Sequence, residues 1–78
     1  MAGLVFYTKP GCHLCEEGRE AVALALAQSN VPVEAVDITR DPELMDRYGV
    51  LIPVLVNADT GAELRWPFGP ADVKRLIK

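Results

Sequence analysis

The stretch Phe6-Tyr7-Thr8-Lys9-Pro10-Gly11-Cys12-His13-Leu14-Cys15-Glu16 decides how the rest of the chain is read. An apolar, β-forming run ends at a Pro-Gly turn, and a Cys-x-x-Cys pair opens a helical pattern on the far side. Two thiols at this spacing close a small disulfide with little backbone movement, so the pair can take up and return two electrons. In a strand-turn-helix setting the spacing points to dithiol redox chemistry rather than to two buried small apolar residues.

Working outward, Leu4 to Tyr7 is continuously apolar, as expected of a central strand covered on both faces. From Cys12 the pattern is helical. Leu14, Ala21, Val22 and Ala25 fall on one broad face, Leu24 and Leu26 widen it, and Glu16, Glu17, Arg19 and Glu20 lie mostly away from it. Gly18, mid-helix, costs about 1 kcal/mol relative to Ala, which close packing of helix on sheet would explain. Ser29-Asn30 is expected to end this helix, with Asn30 in a left-handed conformation. Val31 to Ile38 is a second strand, with Val33, Ala35 and Asp37 on one face and Glu34, Val36 and Ile38 on the other; a strand-helix-strand unit favours parallel pairing. Asp41-Pro42-Glu43 is an N-cap, N1 proline and first-turn acid for a short helix that stops at Gly49. Pro53 to Val56 is a third, central strand. Asn57 to Gly61 is a hairpin loop with Gly61 at positive φ, and Ala62 to Trp66 alternates as an edge strand would. Gly69-Pro70-Ala71-Asp72 starts a last helix to Lys78, with Val73, Leu76 and Ile77 inward. The order is βαβαββα: an α/β chain, one domain over residues 1–78, with no linker or repeat.

Composition narrows the function. The 78 residues carry 8 basic and 11 acidic side chains, a formal charge of −3 with no basic stripe, so nucleic acid is not an expected partner. The apolar start, Met1 to Tyr7, lacks the charged lead, long apolar core and cleavage site of a signal peptide, and no run approaches the roughly 20 apolar residues of a membrane span. Only two cysteines are present, both in one motif, where a secreted domain of this size would carry several disulfides. A cytoplasmic, monomeric protein with a cycling dithiol and no membrane partner is expected.

With Cys-x-x-Cys at the start of the first helix and Ile52-Pro53-Val54 at the start of the third strand, this element order resembles the thioredoxin fold, a four-stranded mixed sheet flanked by helices. Tyr7-Thr8-Lys9-Pro10-Gly11-Cys12 is similar to glutaredoxins and to the short glutaredoxin-like proteins grouped with them. The resemblance implies a cis peptide bond before Pro53, beside the cysteine pair, and pairing of the Ile52 backbone with an extended thiol substrate. It also implies that Lys9 contacts a substrate carboxylate and that Asp72 belongs to the region that holds glutathione. The chain departs from the family pattern in two places. His13-Leu14 stands where glutaredoxins usually have Pro-Tyr. Phe68-Gly69 replaces a Gly-Gly pair, and Phe68 would fill space that glutathione occupies.

The chemistry expected of the pair follows from its position. A free thiol titrates at about 8.5, and the first turn of a helix favours negative charge. Cys12 is therefore expected to ionise more readily than a free thiol, aided by Lys9 and a charged His13 and opposed by Glu16 and Glu17. Cys12 attacks a disulfide, and Cys15, one turn in, resolves the mixed disulfide. His13 either tunes the potential or is an exposed first-turn residue; Lys9 is otherwise a solvated loop residue; Asp72 is most simply a first-turn acid. Trp66 and Phe68 cover one end of the sheet, or form a protein-contact patch if exposed near Cys12, while Tyr7 and Tyr48 are structural. One Cys pair and one His do not make a tetrahedral zinc site, so no metal is assigned. The expected activity is thiol-disulfide exchange with protein or small-molecule disulfides. No cofactor is bound, and glutathione or a thioredoxin-type reductase is the electron source. The rival is a non-enzymatic redox sensor, or an adaptor binding a metal or a dimer-bridged iron–sulfur cluster.

Overall fold

The computed structural model describes residues 3–77. The chain builds β1 (Leu4–Thr8), α1 (His13–Ala25), β2 (Val33–Asp37), α2 (Pro42–Tyr48), β3 (Val54–Asn57), β4 (Glu63–Arg65) and α3 (Pro70–Leu76), with a 3₁₀ turn over Ile38–Arg40. The last helix ends at Leu76, with Ile77 as its C-cap, short of the end at Lys78 that the sequence pattern predicts; Met1, Ala2 and Lys78 lie outside the described residues.

The sheet order is β2-β1-β3-β4. β2 runs parallel to β1, pairing Phe6 with Ala35 and Thr8 with Asp37. β3 is antiparallel to β1, pairing Phe6 with Leu55, and β4 is antiparallel to β3, pairing Leu55 with Leu64. β1 and β3 are thus central and β4 is an edge, as their apolar content implies.

Side-chain alternation assigns the two faces. Leu4, Phe6, Leu55 and Leu64 point to the side packed by α1 and α3, which also touch each other. Tyr7 points to the opposite side, where its ring stacks on Tyr48 of α2 at 4.6 Å. The core is continuous across both layers and includes Leu4, Phe6, Cys15, Val22, Val54, Leu55 and Val73.

The outcome differs from the sequence reading in four further places. α1 ends at Ala25, not at Ser29-Asn30: Leu26 N–H bonds Val22 O, and a turn closed by Ser29 N–H on Leu26 O follows. No described residue other than glycine has positive φ, so Asn30 is not a left-handed cap. Leu14 and Leu24 are 44% and 68% exposed. The buried stripe is the narrower set Cys15, Gly18, Ala21, Val22 and Ala25, because small residues let the helix sit close to the sheet. β2 is shorter than Val31 to Ile38, and Ile38 leaves the strand to be fully buried in the 3₁₀ turn. β3 and β4 are also shifted: Pro53 precedes β3, and Ala62 and Trp66 flank β4.

Candidate active site

The β1-α1 loop builds the site. Gly11 has φ +74°, a conformation L side chains rarely adopt, and it turns the chain into α1. Cys12 is the N-cap, in extended conformation (φ −88°, ψ 104°), and its Sγ accepts the backbone N–H of Cys15 at 3.2 Å. Sulfur thus stands where Ser or Asp oxygen usually caps a helix. Were the pair reduced, an amide aimed at this sulfur and the helix N-terminus beside it would be placed to stabilise a Cys12 thiolate.

The two sulfurs are joined as a disulfide, with Cα atoms 5.2 Å apart, inside the usual range. Their environments differ. Cys15 is 2% exposed, whereas Cys12 is only part-buried at the rim.

Beneath the pair, α1 meets the β3 entry at Gly18. A Cβ there would stand 2.9 Å from Pro53 Cγ and 3.5 Å from Phe6 Cε1. The Ile52–Pro53 bond is cis, as is Trp66–Pro67, which nothing in the sequence singled out. Ile52 N–H donates to Tyr48 O at 3.1 Å, and Pro53 O accepts Trp66 N–H at 3.2 Å.

A cleft of about 460 Å³ opens beside the disulfide, lined by Thr8, Lys9, Gly11, Cys12, His13, Cys15, Glu16 and Arg19 with Pro10. It brings together four of the residues singled out from sequence: Lys9, Cys12, His13 and Cys15. It does not include Ile52, Pro53 or Asp72. The His13 side chain is 85% exposed, with Nδ1 and Nε2 each 3.9 Å from a carboxylate oxygen of Glu16 and Glu17. Asp72 holds the start of α3: its Oδ2 accepts Gly69 N–H at 2.9 Å and its Oδ1 bonds the Arg75 guanidinium. The Gly69 amide first, and Arg75 after it, hold the Asp72 carboxyl below its usual pKa. Phe68 is buried, with its ring edge-on to Trp66 at 5.2 Å, so the pair closes one end of the sheet.

Arg19, which the helical pattern places mostly away from the apolar face, also lines the cleft. Its guanidinium lies over the Phe6 ring, 5.7 Å from the centroid. The signal was available in the spacing, since four residues past Cys15 is one helical turn along the same face. Among the described residues, no three His, Cys, Asp or Glu side chains cluster so as to hold a metal ion, and no helix is long and apolar enough to cross a membrane.

The family model described as Glutaredoxin-like domain (DUF836) matches residues 3–78. The chain belongs to the glutaredoxin-like domain family. This glutaredoxin-like chain is 33% identical over 79 residues to the SPbeta prophage-derived thioredoxin-like protein YosR of Bacillus subtilis strain 168, an alignment spanning 96% of this chain and 94% of the relative. It superposes on the X-ray structure of protein XcR50 from X. campestris with a TM-score of 0.83 and 35% identity, covering 96% and 95% of the two chains. Thioredoxin 1 from Thermosipho africanus TCF52B superposes with a TM-score of 0.66 at 16% identity, covering 96% and 89%, a likeness of fold alone. The architecture is the thioredoxin fold, and a Cys12–Cys15 pair on a glutaredoxin-like domain supports a redox role.

Proposed function

We propose that this glutaredoxin-like domain is a thiol-disulfide oxidoreductase that works through both cysteines, as a monomer in a reducing cytoplasm. The observation that carries the reading is the asymmetry of the pair. Cys12 sits at the rim and accepts an amide N–H on its sulfur, whereas Cys15 is buried one turn behind it.

In the reduced protein the Cys12 thiolate attacks one sulfur of a substrate disulfide. The substrate S–S bond breaks, one thiolate leaves and takes a proton from solvent, and a Cys12–substrate mixed disulfide remains. Cys15, as thiolate, then attacks Cys12 Sγ, expels the second substrate thiolate and closes the Cys12–Cys15 disulfide. Two electrons have passed from the protein to the substrate. Two thiol equivalents from glutathione, or a thioredoxin-type reductase, restore the dithiol. Pro53 fixes the shape of the wall behind the pair through its contact with Gly18. Ile52 N–H is already bonded to Tyr48, so its carbonyl is the group left to pair with an extended substrate. Asp72 is engaged by Gly69 and Arg75, and Phe68 fills the neighbouring space, which argues against a dedicated glutathione seat at α3. Glutathione is then a reductant rather than a specifically bound group.

The test mixes reduced wild type, Cys12→Ser and Cys15→Ser with a glutathionylated peptide and excess glutathione. Turnover that is lost in Cys12→Ser, with a mixed disulfide on Cys12 that accumulates in Cys15→Ser when glutathione is left out and is released when it is added, is the expected result. A stoichiometric reaction without cycling favours a redox sensor, and thiols inert to the peptide remove the redox reading.

A further inference from the structure

Among the described residues two polar side chains are buried, Thr8 and Asn57. Asn57 is engaged: its Nδ2 donates to Leu76 O at 2.8 Å and its Oδ1 accepts Asp59 N–H at 2.9 Å. The Thr8 side chain, 9% exposed, has no hydrogen-bond partner among the described residues. No fully buried side-chain oxygen or nitrogen among them lacks a partner, so the Thr8 hydroxyl is not sealed in the core. Alternation along β1 turns it to the face that α1 covers, and there it lines the cleft with Cys12 and the buried Cys15. The charged groups of the cleft stand farther out. Lys9, His13, Glu16 and Arg19 are exposed at its rim, His13 beside Glu16 and Glu17 and the Arg19 guanidinium over Phe6. Asp37, the register partner of Thr8, accepts the Thr39 N–H and hydroxyl, and Asp72 and Arg75 on α3 engage each other. The buried side of the cleft thus carries a neutral hydroxyl that is free to turn to Cys15.

We propose that the Thr8 hydroxyl donates a hydrogen bond to the Cys15 thiolate once the disulfide is open, and so readies the second sulfur for its attack. The proposal rests on the thiol-disulfide exchange described above and assigns the group that serves its resolving step. Burial disfavours a thiolate, yet that step needs one at Cys15. The Cys15 thiol gives its proton to solvent through the cleft, and the thiolate, held by the Thr8 O–H, attacks Cys12 Sγ. The bond from Cys12 to the substrate sulfur breaks, and the substrate thiolate leaves with the electron pair and takes a proton from solvent. Thr8 keeps its own proton throughout. A hydroxyl bonds an ionised sulfur more strongly than a neutral thiol, so it favours the reactive form. Cys12, at the rim with an amide on its sulfur, does not depend on it.

The test titrates Cys15 by its thiolate absorbance in Cys12→Ser, alone and combined with Thr8→Val or Thr8→Ser. Thr8→Val removes the hydroxyl at a strand position that suits a β-branched residue, and Thr8→Ser keeps it. The expected result is about tenfold less thiolate below the midpoint in Thr8→Val, most of it regained in Thr8→Ser. With Cys12 present, closure of a Cys12 mixed disulfide onto Cys15 is expected to slow about tenfold at neutral pH in Thr8→Val. It meets the wild-type rate in alkali, where Cys15 is fully ionised. The first attack by Cys12, followed in Cys15→Ser, stays within about twofold when Thr8→Val is added. Unchanged ionisation of Cys15 in Thr8→Val, or closure slowed by the same factor at every pH, overturns the proposal. If Thr8→Val does not fold, Thr8→Ala is compared with Thr8→Ser by the same two measurements. If wild type forms no mixed disulfide, the oxidoreductase reading itself fails, and the Cys15 titration still decides for or against the hydrogen bond.

Discussion

At Gly18 two physical effects oppose each other, and their sizes decide the outcome of adding one methyl group. Alanine gains about 1 kcal/mol of helix propensity over glycine. The new Cβ would lie 2.9 Å from Pro53 Cγ and 3.2 Å from its Cβ, and a proline ring with almost no exposed surface cannot swing aside as a long side chain would. Overpacking of this kind costs about 1–3 kcal/mol. Gly18→Ala is therefore expected to be destabilising by about 1 kcal/mol net and to lower exchange rates, because relief moves either α1 or the Pro53 wall. Chemical denaturation of the oxidised protein checks the first point, and a rise in stability would show that the helix-sheet gap can widen without cost. The same packing explains why the mid-helix glycine could be understood from sequence only in outline. Its cost was visible, while the partner that requires it lies 35 positions away.

Elements differ in how much of them the sequence made legible, and the reason is whether the determinant is local. The start of α2 was readable from Asp41-Pro42-Glu43 because capping is a short-range device, and Asp41 Oδ1 does accept Glu43 N–H at 2.9 Å. Gly61 was readable because a hairpin needs positive φ, and it has φ +78°. The end of α1 was not, because Leu26, Ala27 and Gln28 are good helix formers, and the break there follows from the chain having to return to β2 alongside β1. Nor was the bareness of β2, whose first three residues are exposed despite an alternating pattern; burial of a strand depends on what covers it. Cys12, Cys15, Lys9 and His13 could be placed at one site from sequence since they adjoin in the chain. The Arg19 contribution needed the helix face to be oriented against Phe6. On the second face of the sheet, Tyr48 ties α2 to β4 by donating its hydroxyl to Glu63 Oε2 at 2.9 Å while stacking on Tyr7. Tyr48→Phe keeps the stack and removes the bond, and Glu63 remains solvated. A loss of about 1 kcal/mol in denaturation is expected; no loss would mean that the stack alone holds α2.

For the molecule as a whole, these groups set the shape of its stability against pH. Asp37 is held below its ordinary value of 3.8 chiefly by the Thr39 hydroxyl and amide, and Asp72 by the Gly69 amide with Arg75 beyond it. Carboxylates lowered in the fold add stability that is present above 3.8 and lost as pH falls through their folded values. Tyr48 behaves in the opposite sense. Burial first, then the bond to Glu63 and its charge, raise the phenol above 10.0, so its contribution is full below 10.0 and is lost as pH rises through the folded value. Thermal unfolding of the oxidised protein, in which the sulfurs do not titrate, isolates each limb by difference. The gap in Tm between wild type and Asp72→Asn is expected to stay constant from neutral pH down to about 4 and to close below it. The gap between wild type and Tyr48→Phe is expected to stay constant up to about 10 and to close above it. A gap for Asp72→Asn that persists in acid would assign its role to the geometry of the α3 cap rather than to charge. A Tyr48→Phe gap that persists in alkali would mean that the ionised phenol is tolerated in the fold, contrary to its burial beside Glu63.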